Sequence, residues 1–138
     1  MVVGAVRVHV RLTNGGDELL VRTGQLRPEN VRSYEGEAFV DTGAVKSVIP
    51  RTVMQKLGLP PIDSTPVQYA DGRTEVVDMT GPITVRIFDR RSNEDAYVLG
   101  DEILIGQTAL ESMDLHVDCL NQRLIPNPKH PDRPVLRV

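Results

Sequence analysis

Glu37-Ala38-Phe39-Val40-Asp41-Thr42-Gly43-Ala44 sets a short apolar run directly against an acidic turn. A strand over residues 37–40 would deliver Asp41 at its end, where the carboxylate can face a cleft while its backbone stays in the sheet. Gly43 permits close backbone approach beside that carboxylate, and Thr42 can lock the turn through its hydroxyl. Alone, Asp-Thr-Gly is also an ordinary set of turn residues, so its meaning depends on what surrounds it.

On the N-terminal side, Val6, His9 and Val10 lie in a β-branched stretch that stops at Thr13-Asn14-Gly15-Gly16-Asp17. Asn and Gly tolerate positive φ, so this segment predicts a hairpin turn with Leu19-Leu20-Val21 as the returning strand. Residues 24–33, broken by Pro28, predict a loop. On the C-terminal side Val48-Ile49 precedes Pro50, which opens a helix through Leu57 that Gly58 and Pro60 close. The proline-rich residues 60–66 read as irregular. Val67-Gln68-Tyr69 and residues 74–77 form a hairpin about Ala70-Asp71-Gly72-Arg73. Ile83-Thr84-Val85-Arg86-Ile87 alternates with period two, residues 90–95 read as a turn, and Ala96-Tyr97-Val98-Leu99 and Ile103-Leu104-Ile105 as strands. Gln107 to Met113 predicts a short helix. Residues 115–119 and 123–125 form a last hairpin, and the tail from Pro126 reads as extended. Many short strands with frequent turns argue an all-β, barrel-like domain with one or two short helices.

With 138 residues, 40% hydrophobic and 25% charged, the chain has the size of one domain with one core. Aromatics make up 4% and Trp is absent, so that core must come from Val, Leu, Ile and Met. The net charge of -3 and the lack of a Lys/Arg run argue against a nucleic-acid partner. Cys119 is the single cysteine, which excludes an intrachain disulfide and the zinc-ligand spacings. His9, His116 and His130 have no metal-ligand spacing either, so neither metal nor cofactor is expected. Cys119 reads as a small buried hydrophobe, Arg90-Arg91 as a solvated turn, and Glu111 and Asp114 as helix-end carboxylates. Met1-Val2-Val3-Gly4-Ala5-Val6 is interrupted at once by Arg7, His9 and Arg11, unlike a signal peptide or membrane span. A cytoplasmic domain with no membrane partner is the expectation.

Three elements in order give the Asp41 turn its context: the apolar run into Asp-Thr-Gly-Ala, a hairpin tipped by Gly72, and Ile103-Leu104-Ile105-Gly106 leading into a helix. This set resembles the retropepsin-like aspartic proteases over residues 37–126, with residues 1–36 as an N-terminal hairpin and loop and 127–138 as a tail. Gly36 to Ala44, Tyr69-Ala70-Asp71-Gly72-Arg73 and Leu124-Ile125-Pro126-Asn127-Pro128 look most like the short single-domain bacterial members, especially cyanobacterial ones. The resemblance implies a homodimeric acid-protease barrel that hydrolyses peptide or protein substrates through a water shared by two carboxylates. Only one Asp-Thr-Gly is present, so the second carboxylate would be Asp41 of another subunit. It further implies that Thr42, Gly43, Ala44, Ile105 and Gly106 support the catalytic loop. Tyr69, Ala70, Asp71, Gly72 and Arg73 would form a flap that excludes water and bonds the substrate main chain.

Departures from the family pattern are local. Retroviral members carry acidic residues after Asp-Thr-Gly-Ala, where this chain has Val45 and Lys46, and the flap has a single Gly72 between two charges. These changes leave a rival expectation, a non-catalytic module of the same fold that holds a peptide or partner without cutting it.

Overall fold

The structure, a computed structural model, describes residues 6–138. The apolar opening from Met1 to Ala5 lies outside the described residues. In β1 (Arg7–Asn14), Val8, Val10 and Leu12 are buried while Arg7, His9 and Arg11 are exposed. In the long β5 (Thr74–Ile87), Ile83, Val85 and Ile87 turn their side chains into the buried aliphatic core, while the neighbouring Val77, Thr80 and Thr84 are buried too. Period-two patterning fixes which face each strand turns inward and therefore its register.

Six strands close into a barrel. β1 pairs antiparallel with β2 (Ser33–Val40), and β2 pairs parallel with β7 (Ile103–Ile105). β7 meets β3 (Val48–Ile49) antiparallel, and β3 meets β6 (Arg90–Val98) in parallel. β6 then pairs with β5, and β5 returns to β1, both antiparallel. β4 (Pro61–Gln68) stands outside the ring, paired only with β5. Closure removes the sheet edges of the six-stranded ring itself.

The interior is aliphatic, as a chain so poor in aromatics requires: Leu12, Ile49, Ile83, Ile87 and Ile105 are each at most 2% exposed. Burying a side chain of that size stabilises the fold by roughly 1.5–3 kcal/mol. Helix α2 (Arg51–Lys56) adds Val53 and Met54 to this core, and α3 (Gln107–Met113) adds Ala109, Leu110 and Met113. The hairpin of β8 (Leu115–Asp118) and β9 (Arg123–Pro126) contributes Leu115 and Leu124. No helix among the described residues is long and apolar enough to cross a membrane.

Several expectations are corrected. The predicted hairpin at residues 13–21 is instead a helix, α1 (Gly15–Arg22), which makes three α-helices among the described residues rather than one or two. Asn14 is its N-cap: its side-chain oxygen accepts the Asp17 amide at 3.0 Å, and its Nδ2 donates to the Leu57 carbonyl at 2.8 Å. Asp17 and Glu18 in the first turn and Arg22 in the last complement the helix dipole. Residues 60–66, read as irregular, form most of β4; an edge strand tolerates proline because one side of it needs no ladder bond. Residues 90–95 are strand, and the turn sits earlier, at Phe88-Asp89, with Phe88 at φ 57°. Arg90 is buried rather than solvated, donating to the carbonyls of Met113, Asp114 and His130 and so closing the C-terminal end of α3. Cys119 is exposed, not buried.

Asp114 does more than end a helix. It takes a left-handed conformation at the α3 C-cap, and its carboxylate accepts bonds from Asn127 Nδ2, His130 Nδ1 and the Val135 amide. Those bonds, led by the one from Asn127, hold its pKa down at about 2. The tail is thereby pinned to α3.

Candidate active site

Asp41 directly follows the last residue of β2. Its amide donates to the Ile105 carbonyl at 2.9 Å, extending the β2–β7 ladder by one bond past Val40 and Ile105. The Gly43 amide then donates to Asp41 Oδ1 at 3.0 Å and the Ala44 amide to the Asp41 carbonyl at 3.2 Å. The carboxylate is therefore oriented by its own loop. Asp41 is half-buried, and Thr42 and Gly43 are exposed.

The loop is gripped from behind by the residues after β7. The Gln107 amide donates to the Ala44 carbonyl at 2.7 Å, and the Thr108 amide to the Val45 carbonyl at 3.0 Å. First-turn amides of a helix have no partner within it, and here the Asp41 loop supplies two. The buried Gly106 amide donates to Ser47 Oγ at 3.1 Å. A Cβ at Gly106 would stand 2.6 Å from the Lys46 carbonyl carbon, so only glycine fits where the two segments cross. Thus Asp41, Thr42, Gly43, Ala44, Ile105 and Gly106, singled out separately by sequence, are brought together.

Two supporting residues escaped the sequence reading. Ser47 bridges the segments as described, and its own amide donates to Glu94 Oε1 at 3.3 Å. Glu94 reaches it from β6, and its Oε2 is buried without a partner among the described residues. Burial pushes this carboxyl's pKa up, against the lowering effect of the bonds from Ser47. Neither residue stands in a motif; the signal exists only once β3 and β6 are adjacent.

The flap candidates also fall in one place, the turn between β4 and β5. The Tyr69 amide donates to the Arg73 carbonyl at 2.8 Å and the Gly72 amide to the Tyr69 carbonyl at 2.9 Å. Gly72 takes φ +88°, which a residue with Cβ rarely adopts. The Arg73 guanidinium lies 4.3 Å from the centre of the Tyr69 ring, and Tyr69 Oη donates to Glu75 at 3.1 Å. Ala70 and Asp71 at the tip are exposed. Nearer the barrel, Arg51 at the start of α2 pairs with Asp78 of β5 at 2.7 Å. Among the described residues no three His, Cys, Asp or Glu side chains gather as metal ligands. Within one chain, then, the structure offers a single positioned carboxylate that can take or give a proton, and an exposed hairpin turn at residues 69–73.

The aspartyl protease family matches residues 21–115, well over half of the chain. No curated protein matches the sequence. Among solved structures 218 chains match. One is a foamy viral protease-reverse transcriptase in complex with an RNA/DNA hybrid, with a TM-score of 0.50 and 14% identity over 78% of this chain. This chain spans 12% of that protein, and the likeness at such identity is one of fold.

Proposed function

The chain belongs to the aspartyl protease family, and from that premise we propose that it is an aspartic endopeptidase whose site is completed by a second copy of itself. The observation that carries this reading is the posture of Asp41: a carboxylate at a strand end, oriented by the Gly43 amide, on a residue whose own backbone amide donates to the Ile105 carbonyl. An aspartic protease needs two such carboxylates around one water. This chain has one Asp-Thr-Gly, so a two-fold axis must supply the other.

In the dimer the two Asp41 carboxylates share one proton, because like charges that close do not both ionise. The ionised member takes a proton from the water as it attacks the scissile carbonyl. The protonated member polarises that carbonyl, and its proton then goes to the leaving amine. The two apparent pKa values belong to the pair. Thr42 and Gly43, exposed on the single chain, are the residues that would meet their counterparts across the axis, and the hairpin tip 69–73 would close over an extended substrate.

Replacing Asp41 by Asn tests the reading with a panel of unstructured peptides. Cleavage should vanish while the melting temperature stays within a few degrees, because Asn keeps the oxygen that accepts from Gly43. Cleavage surviving in D41N would overturn the proposal. A wild-type protein that binds peptides and cuts none would instead favour the binding-module alternative, consistent with Val45 and Lys46 in place of acidic residues.

A further inference from the structure

A groove of about 650 Å³ lies between α1 and the outer face of the barrel, and its lining includes neither Asp41 nor any residue of the 69–73 turn. Two cross-strand rows of the sheet contribute residues to its lining. Thr13, Thr84 and Asn93 are cross-strand neighbours on β1, β5 and β6, and so are Arg11, Arg86 and Arg91. Neighbouring strands lie about 4.8 Å apart, so the second row places three guanidinium stems side by side. Like charges in that arrangement repel unless something answers them.

The middle arginine is answered most closely. Arg86 bonds Glu18 Oε1 at 2.6 Å and Thr13 Oγ1 at 3.1 Å. Arg11 has Glu35 at 4.0 Å, both side chains being about half exposed or more. Arg91, and Arg22 from the last turn of α1, have no carboxylate within 4.0 Å among the described residues. The groove thus carries two unpaired guanidiniums, Arg22 and Arg91, a third, Arg11, held only at long range by exposed Glu35, and one carboxylate already committed, on a chain whose net charge is -3. Leu19, Val31 and Pro82 line it beside the charges.

We propose that this groove binds an acidic segment of a polypeptide, with Arg11, Arg22 and Arg91 taking side-chain carboxylates and Leu19, Val31 and Pro82 taking the aliphatic groups between them. Guanidinium forks match carboxylates in geometry as well as charge. The apolar lining would be wasted on free phosphate. A nucleic acid needs a continuous basic track, which three guanidiniums set among aliphatic side chains do not offer. Binding here does not depend on hydrolysis at Asp41.

Fluorescence anisotropy on the full chain tests this with a labelled peptide of alternating Glu and Leu and its Gln-for-Glu counterpart. The acidic peptide should bind saturably and weaken as salt is raised, and the Gln peptide should bind far more weakly. The double variant R11Q/R91Q should lose roughly tenfold in affinity, as expected for two exposed charge pairs. D41N should bind like wild type, which separates this site from the proposed catalytic one. R22Q gives a second reading should the double variant melt early. Equal binding of the two peptides, or unchanged binding by the arginine variants, would overturn the proposal. Displacement of the acidic peptide by inorganic phosphate or a short single-stranded oligonucleotide at comparable concentration would also overturn it, reassigning the groove to phosphate chemistry.

Discussion

Behind Asp41 the chain is held on two sides by backbone: Ile105 bonds the Asp41 amide, α3 donates to the carbonyls of Ala44 and Val45, and Gly106 packs against Lys46 without room for a methyl group. At the 69–73 turn the surroundings are the reverse. β4 is exposed or half-buried along its whole length, it pairs with one neighbour, and a Cβ at Gly72 would meet nothing within 4 Å. The same sheet therefore supplies a rigid seat and a hairpin that can move. Catalytic geometry tolerates little displacement, whereas a cover must open and shut, and elements with few buried contacts open at the least free-energy cost.

Substitutions at the two glycines would sharpen this contrast most. Gly106 has an ordinary φ of -87°, so an alanine there is opposed by contact alone. G106A should destabilise by about 3 kcal/mol, the upper end for overpacking because the obstacle is backbone, and cut turnover by roughly a hundredfold. Denaturant unfolding and peptide cleavage measure the two effects, and a near-native G106A would mean the seat is softer than its contacts imply.

A smaller effect is expected at Glu94, the buried carboxyl that contacts Ser47 from β6. Its folded pKa is raised, so the stability it contributes is fully present below its unfolded value of about 4.3 and is lost as pH rises through the folded value. E94Q carries no such titration. Urea midpoints measured from about pH 4 to about pH 8 should fall for wild type relative to E94Q as carboxylates ionise. Parallel curves would show that this group does not feel the barrel interior.

Least change in global stability belongs to G72A. Positive φ opposes a Cβ by about 1 kcal/mol or somewhat more, but that strain falls on a turn the barrel does not lean on. The expected signature is a several-fold change in KM for peptide with a melting temperature close to wild type. A large loss of global stability would place the hairpin inside the cooperative core and break the contrast.

Much of the barrel was legible because alternation in β1 and β5 states which side chains go inside, and the Asp41 and Ile105-Gly106 segments each carry a local signature. The errors have particular causes. Asn14-Gly15-Gly16 serves equally as a hairpin turn and as the start of a capped helix, and the deciding bond, from Asn14 to Leu57, spans 43 positions. Prolines at 60, 61 and 66 argued against a strand because nothing local says that β4 is an edge. Arg90 looked solvated because its partners, the carbonyls of Met113, Asp114 and His130, lie 23 to 40 positions away. Ser47 and Glu94 were hidden for the same reason: pairing at a distance of 47 or 59 positions leaves no trace in a local pattern.

If two copies of Asp41 make one site, subunit mixing shows it directly. Wild type and D41N are combined at fixed total concentration, allowed to exchange, and assayed on one peptide. If each site needs an Asp41 from both subunits, activity follows the square of the wild-type fraction, and an equal mixture retains about a quarter of full activity. A retained activity of about one half, linear in the wild-type fraction, would mean that each chain works alone and would contradict the shared dyad.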